Sequence, residues 1–253
     1  MAGGNGRPVV LFLALLAGLW ASATRAAEPL VADLSRHLVA ITTGFAGTDV
    51  LLFGAVEDAS RGGDVVVVVR GPNHGEIVRR KARNAGIWVN SGLAEVRDAP
   101  SFYRVAASKP LAEIAPQAVL ERHQIGLEAL DLDIHPRDES ADSPQYRDAL
   151  IRLKQRQGLY GDGVQDIGFL GNRLFRTEMH FPANVPVGTY LVEVYLMVDG
   201  EVASAQTTPL VVSKIGLGAD VFDFAHQQAA AYGIIAILLA AGAGWAAAAI
   251  FRK

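Results

Sequence analysis

The chain has 253 residues, 51% of them hydrophobic, a formal net charge of −3 and no cysteine. The missing cysteine excludes disulfides, thiolate zinc sites, Cys nucleophiles and a lipid-modified N-terminal cysteine. The near-balanced charge carries no nucleic-acid footprint.

The apolar excess sits at the two ends. Arg7 precedes an apolar run at 9–20, and the small residues of "ASATRAAEP" follow. That order predicts a secretory signal peptide over residues 1–26, with cleavage after Ala23, Ala26 or Ala27. No N-x-[ST] sequon occurs, and an exported chain without cysteines or sequons reads as bacterial and periplasmic. Residues 28–215 have mixed composition and suffice for one domain.

Period-two patterns dominate the start of that domain. "HLVAITTGF" (37–45) and "DVLLFGAVE" (49–57) read as strands joined through Ala46, Gly47 and Thr48. "GDVVVVVRGPNHGEIVRR" (63–80) reads as a hairpin turning at Gly71, Pro72 and Asn73, with Gly75 permitting positive φ. Its five consecutive valines, 65–69, predict a strand buried on both faces, with Asp64 and Arg70 as charged gatekeepers. "GIWVN" (86–90), "LAEVRD" (93–98) and "FYRVAAS" (102–108) continue as short strands.

The middle is helical. Residues 110–124 are compatible with helix, and 143–161 predict a stronger one, with Ser143 as N-cap, Pro144 at the first turn and Gly158 past the end. Tyr146, Leu150, Leu153 and Gln157 share one face, while Arg152, Lys154 and Arg156 suit the negative end of the helix dipole.

Strands return at 174–182, 188–200 and 201–214, with Asp199 and Gly200 as a hairpin turn. Tyr190, Val192, Val194 and Leu196 alternate inward, and Tyr190 is placed to bond back to the preceding backbone, as in the tyrosine corner of immunoglobulin-like sandwiches. The expected fold is mainly β: an immunoglobulin-like β-sandwich with a helical insertion at about 110–158.

Residues 216–228 form a juxtamembrane joint. Gly216 and Gly218 supply flexibility, Asp220 an N-cap and Asp223 a first-turn charge, so the last helix is expected to start near Val221. Ala229–Phe251 then runs 23 residues without a charge, roughly 34 Å as a helix and enough to cross a bilayer. Arg252 and Lys253 follow as a cytoplasmic basic end. An exported body and a cytoplasmic terminus place the chain in the bacterial inner membrane, single-pass, with its main domain in the periplasm. Small residues recur at Ala236, Ala240, Gly244 and Ala248. They make a smooth face on which a partner helix, of a second copy or of another membrane protein, could pack. Ala-rich spans also arise without a partner.

Several stretches carry chemistry in principle. Asp131, Asp133 and His135 share a face if extended and suit a hard cation or zinc, or they form a solvated strand face. Arg79, Lys81 and Arg83 line one side of a strand with Arg80 opposite, a pattern that suits an oxyanion or an anionic lipid headgroup; a charged edge that discourages sheet-to-sheet sticking looks the same. Arg147, Arg152, Lys154 and Arg156 could extend that basic surface. His37, His74, His123, His180 and His226 are scattered without metal spacing, and His180 reads as a hydrogen-bonded packing residue. "GLYGDG" (158–163) leaves a helix instead of entering one, which fails the phosphate-loop criterion. No catalytic, cofactor or metal set is expected.

The strings "SRHLVAITTGFAGTDVLLFGAVE" (35–57), "ALIRLKQRQGLY" (149–160) and "FRTEMHFPANVPVGTYLVEVYL" (175–196), with the C-terminal span, resemble the putative transmembrane protein family of alphaproteobacteria. The resemblance implies a bacterial envelope protein with one C-terminal anchor. Because genes of the family often neighbour those of sulfite-exporter-like permeases, it also hints at a permease-like transport partner. It brings no catalytic residues. The expected function is that of a non-catalytic accessory or interaction protein at an inner-membrane transporter, or alternatively of a tethered periplasmic anion-binding module using Arg79, Lys81 and Arg83.

Overall fold

The computed structural model describes residues 30–56, 63–137, 143–171 and 173–251. The expected signal peptide, the acidic run after Arg137 and the basic pair Arg252 and Lys253 lie outside them. Among the described residues the chain is mainly β with one apolar C-terminal helix. Its first half runs β1 (Leu30–Leu34), β2 (Leu38–Ile41), β3 (Gly47–Val56), β4 (Asp64–Arg70), β5 (Asn73–Asn84), β6 (Ile87–Pro100) and β7 (Tyr103–Ala107). Two short helices, α1 (Leu111–Ile114) and α2 (Gln117–Arg122), lead to β8 (Asp133–Pro136) and α3 (Ser143–Arg156). Then come β9 (Tyr160–Asp166), β10 (Gly168–Leu170), β11 (Leu174–Pro182), β12 (Gly188–Val198), β13 (Glu201–Lys214), α4 (Leu217–Gln227) and α5 (Ala229–Phe251).

The strands form three sheets, ordered β1-β3-β11-β10, β2-β13-β12-β4-β7-β9 and β5-β6-β8. Pairing is antiparallel except for β2 with β13 and β7 with β9. The first two sheets share one core. Leu30, Val50, Leu52, Phe175 and Phe181 come from one side, and Tyr190, Val192, Val194 and Leu210 from the other. Gln206 of β13 bonds across the gap, accepting from Ala32 N at 2.8 Å and donating to Ala32 O at 2.7 Å on β1.

The valine run behaves as its composition predicts: Val65, Val66, Val67, Val68 and Val69 are all 0–1% exposed. The reason lies in the layers. Val65, Val67 and Val69 pair with Leu196, Val194 and Val192 on the inner face. Val66 and Val68 share the opposite face with Arg70 and Glu193. There Arg70 donates to the carbonyls of His123 and Gln124 in the covering helical segment, at 2.6 and 3.0 Å.

The corner at β12 also forms as expected. Tyr190 donates its hydroxyl to Pro186 O at 2.6 Å, and Asp199 and Gly200 take φ of 52° and 82° in the turn to β13. Val198 pairs with Glu201 across it.

The hairpin expected at 63–80 is corrected. β4 does not fold back on β5; it pairs with β12 and β7, while β5 pairs with β6. Gly71 N donates to Phe102 O and Ser101 N to Pro72 O, so the β4–β7 ladder runs on into β5–β6 as one ribbon. Gly75 is not among the positive-φ glycines and sits at an irregularity of the ladder between His74 and Glu76. The true turn is at Ala85 and Gly86, with φ of 48° and 86°, the two-residue geometry that suits a twisted ribbon. The stretches 86–90 and 93–98 are therefore one strand, β6.

The first expected strand is shorter, β2 ending at Ile41; Gly47 and Thr48 belong to β3 instead of the joint, and β2 and β3 lie in different sheets. The strands β1, β9 and β10 carried no expectation of their own, and Tyr160 and Gly161, expected at the end of the helix, open β9.

The 110–124 helix is split by Ala115 and Pro116, since Pro supplies no N–H to continue it. The strong helix stands, and Gly158 ends it at φ 71°, with Leu159 N reaching back to Lys154 O. Its buried face is Tyr146, Leu150 and Lys154, not Leu153, which is exposed. The final helix is two: α4 begins at Leu217, before Val221, and breaks at Gln228, whose φ and ψ are −131° and 52°.

Candidate functional site

The third sheet carries the basic residues. β5 is its edge, and β5 and β6 extend past the end of β8, which reaches β6 only from Ala94 to Arg97. An extra residue, Ser91, loosens the ladder between Arg80 and Lys81, but β5 itself stays continuous. Its alternation places Arg79, Lys81 and Arg83 on one face and Arg80 on the other. All four are exposed.

α3 packs beside this ribbon. A hollow of about 450 Å³ lies between them, lined by Arg79, Arg80 and Lys81 from β5 and by Tyr146, Asp148 and Arg152 from α3. Arg79 also borders a second hollow of about 350 Å³ that includes Arg137. Tyr146 lines the first hollow, and its hydroxyl is buried without a hydrogen-bond partner in the protein. Gly92 makes room for it: a Cβ there would sit 2.4 Å from that oxygen. The hollow thus combines cations with a free hydroxyl, and one carboxylate, Asp148, sits among them. A small oxyanion is the ligand such a set can hold, through guanidinium forks and an O–H donor.

Sequence spacing found Arg79, Lys81 and Arg83 but not their company. Of the α3 cations, Arg152 does join. Arg147 instead donates to Leu127 O at 2.6 Å and Glu128 O at 2.9 Å, holding the covering segment closed. Lys154 is buried in an ion pair with Glu76. These two were unreadable from a helical wheel, because their partners lie 20 and 78 residues away.

The Asp131, Asp133 and His135 trio does not converge. Asp131, Asp133 and His135 are exposed, with His135 Nε2 2.8 Å from Asp133 Oδ1. Among the described residues no group of three or more His, Cys, Asp or Glu side chains could hold a metal ion. His180 is hydrogen-bonded, to Asp49 at 2.7 Å, but exposed, so it is not a packing residue. The small-residue face of α5, Ala236, Ala240, Gly244 and Ala248, is exposed, and a Cβ added at Gly244 would touch nothing within 4 Å.

Sequence reasoning missed an apolar cleft of about 460 Å³ between β7 and the covering segment, bordered by Tyr103, Leu111, Leu120, Ile125 and Val164. Tyr103 closes its inner end, donating to Gln124 O at 2.7 Å and accepting from Gly126 N at 2.8 Å. Burial pushes the Tyr103 phenol up to about 12, against the attraction of Arg70. Tyr160, which donates to Pro100 O, and Tyr190 are raised further, chiefly by burial.

All three phenols are neutral in the fold and ionise more readily in the unfolded chain, so their contribution is fully present below pH 10 and declines above it, that of Tyr103 being lost as pH rises through about 12. The urea midpoint of the full chain in detergent is expected to hold level to about pH 10 and then fall, with tyrosinate absorbance appearing together with unfolding. Titration of these phenols near pH 10 in folded protein would contradict the burial argument.

A family model described as "Putative transmembrane protein (Alph_Pro_TM)" matches residues 29–253. Comparison with curated proteins finds no match.

Proposed function

The chain belongs to this alphaproteobacterial family of transmembrane proteins, and from that premise we propose that it is a single-pass inner-membrane protein whose periplasmic domain acts as a non-catalytic accessory or interaction subunit. The observation that carries this reading is α5. It is 23 residues long, its most apolar 18-residue stretch has a mean hydropathy of 2.3, and none of its residues is buried. An apolar helix that its own domain leaves almost entirely uncovered is costly in water and favourable in lipid.

We read the domain as an immunoglobulin-like sandwich. Support comes from the β1-β3-β11-β10 sheet facing β2-β13-β12-β4-β7-β9, from the parallel β2–β13 edge, and from the Tyr190 corner at the start of β12. Such sandwiches recur as rigid display scaffolds. The smooth face through Ala236, Ala240, Gly244 and Ala248 is the surface we assign to a partner helix, of a permease-like protein or of a second copy.

After cross-linking in cells, the full chain is expected to co-purify in fixed ratio with an integral membrane protein or with itself, and Gly244→Ile is expected to weaken that recovery. Recovery of the chain as a monomer alone would overturn the interaction role.

The hollow that Arg79, Arg80, Lys81 and Arg152 line together with Tyr146, whose hydroxyl is unpartnered, favours a second reading, capture of a small oxyanion such as sulfite, sulfate or phosphate. Ligand at a hundred times Kd stabilises by about 2.7 kcal/mol. The melting temperature of the full chain in detergent would then rise with the anion, and Arg152→Gln would abolish the rise. No shift with any of the three removes this reading.

A further inference from the structure

The free end of the β5–β6 ribbon joins two features that seldom coincide on a surface facing only water. Residues 77–93 contain Arg79, Arg80, Lys81 and Arg83 and no Asp or Glu. At the turn beside them Ile87 is 69%, Trp88 66% and Val89 41% exposed. Charge alone would be accounted for by edge protection of β5. Edge protection does not call for an exposed Ile-Trp-Val turn, which would itself promote sticking. Tryptophan beside cations is instead the composition of a bilayer interface, where the ring lies at headgroup depth and guanidinium groups meet phosphates.

Topology puts this end on the side of the anchor. Both β4 and β13 are antiparallel to β12, so they run in the same direction. Arg70, the last residue of β4, pairs with Leu191, and Leu191 pairs with Pro209. From that level the ribbon continues out of β4 as β5, while β13 continues to Lys214 and on to α4 and α5. The 12 residues of β5 reach about 40 Å at about 3.3 Å each. The extended chain after Pro209 plus the 11 residues of α4 covers a similar contour, about 40 Å. The basic tip and the chain that leads to α5 therefore leave the same end of the domain, with similar contour lengths.

We propose that the β5–β6 tip docks on the acidic phospholipid surface of the bilayer that holds α5. Ile87, Trp88 and Val89 enter the boundary between headgroups and acyl chains, while Arg79, Arg80, Lys81 and Arg83 take the phosphates. This rests on the reading of α5 as a span. Because the anchor keeps the tip beside the membrane, docking is an intramolecular event at high effective concentration, and modest contacts suffice. The consequence is a domain held in one orientation on the membrane by two points, the span and the ribbon.

Single-tryptophan forms of the full chain separate the two claims. With Trp20 and Trp245 changed to Phe, emission reports Trp88; with Trp20 and Trp88 changed to Phe, it reports Trp245. Each is reconstituted in phosphatidylcholine vesicles carrying brominated acyl chains, with and without phosphatidylglycerol. Trp245 is expected to be quenched in both compositions, and if it is not, α5 does not span. Trp88 is expected to be quenched several-fold more with phosphatidylglycerol than without. Arg79→Gln, Lys81→Gln and Arg83→Gln together, or molar salt, should return it to the neutral-lipid level. Trp88 left unquenched in acidic vesicles while Trp245 is quenched overturns the docking. So does equal quenching in both compositions, or a response of Trp88 to inorganic phosphate but not to acidic lipid.

Discussion

Leu239→Arg is expected to move the full chain from the membrane fraction to the carbonate-soluble fraction, with a change of about 10²- to 10³-fold in the insertion equilibrium. The reason is that α5 inserts by a thin margin. Its strongly apolar side chains are Ile234, Ile235, Ile237, Leu238, Leu239, Ile250 and Phe251, and most of the rest are Ala and Gly. At roughly −0.3 to −0.6 kcal/mol each, the apolar set contributes about −2 to −4 kcal/mol. One arginine near the middle costs about 2.5 to 3.5 kcal/mol, and the leucine's own share is lost with it, so the sum crosses zero. Little else in the domain offsets this, since the main contacts of α5 with the described elements are those with α4. Leu239→Ala, which removes only one apolar share, is expected to stay largely integrated. Full carbonate resistance of the arginine variant would show that another protein holds the helix in place.

The second large effect concerns the pair Glu76 and Lys154. The Lys154 side chain is 9% exposed and that of Glu76 33%. Glu76→Ala is expected to cost about 3 kcal/mol, the lower end for breaking a buried pair because Glu76 keeps partial contact with water. The cost comes from leaving a buried cation without its partner. Lys154→Met retains the apolar stem, and with Glu76→Leu it leaves no unpaired charge. The double variant is therefore expected to recover most of the loss, read as the urea midpoint at unchanged slope. Losses that simply add would mean the pair is not coupled.

The consequence reaches the basic hollow. Glu76 stands at the root of β5 and Lys154 on α3, so this pair helps hold Arg152 opposite Arg79, Arg80 and Lys81. Glu76→Ala should weaken anion-induced stabilisation beyond its effect on folding.

Local pattern carried much of the architecture. Strands β11, β12 and β13 lie where alternation put them, because inward Tyr190, Val192 and Val194 and their polar neighbours obey the two-residue period of a half-buried sheet. Gly158 and the Asp199–Gly200 turn were legible for a similar reason: a backbone with φ above zero selects few residue types. The site was legible only in its first row. A strand's period aligns Arg79, Lys81 and Arg83, but nothing local says that α3 returns beside them or that the Tyr146 hydroxyl is left without a partner.

The Gly71, Pro72 and Asn73 stretch shows where pattern reading fails. It has turn composition, yet Gly71 and Pro72 bond across to Phe102 and Ser101, and the strand carries on. The real reversal, at Ala85 and Gly86, has a weaker signature, because Ala at positive φ is an unfavoured choice that only the closed ladder enforces.

By itself the sequence determined a mainly β body, the helix at α3 and a C-terminal stretch long and apolar enough to cross a membrane, each a matter of period, capping or length within one segment. Tertiary structure alone decided which cations remain available and which end of the domain they occupy. Lys154 and Arg147 are taken up by Glu76 and by the Leu127 and Glu128 carbonyls, and the β5–β6 ribbon leaves the sheet at the same end as the chain toward α5 because β4 and β13 run the same way. Those outcomes depend on pairings between residues far apart in the chain, which no local period encodes.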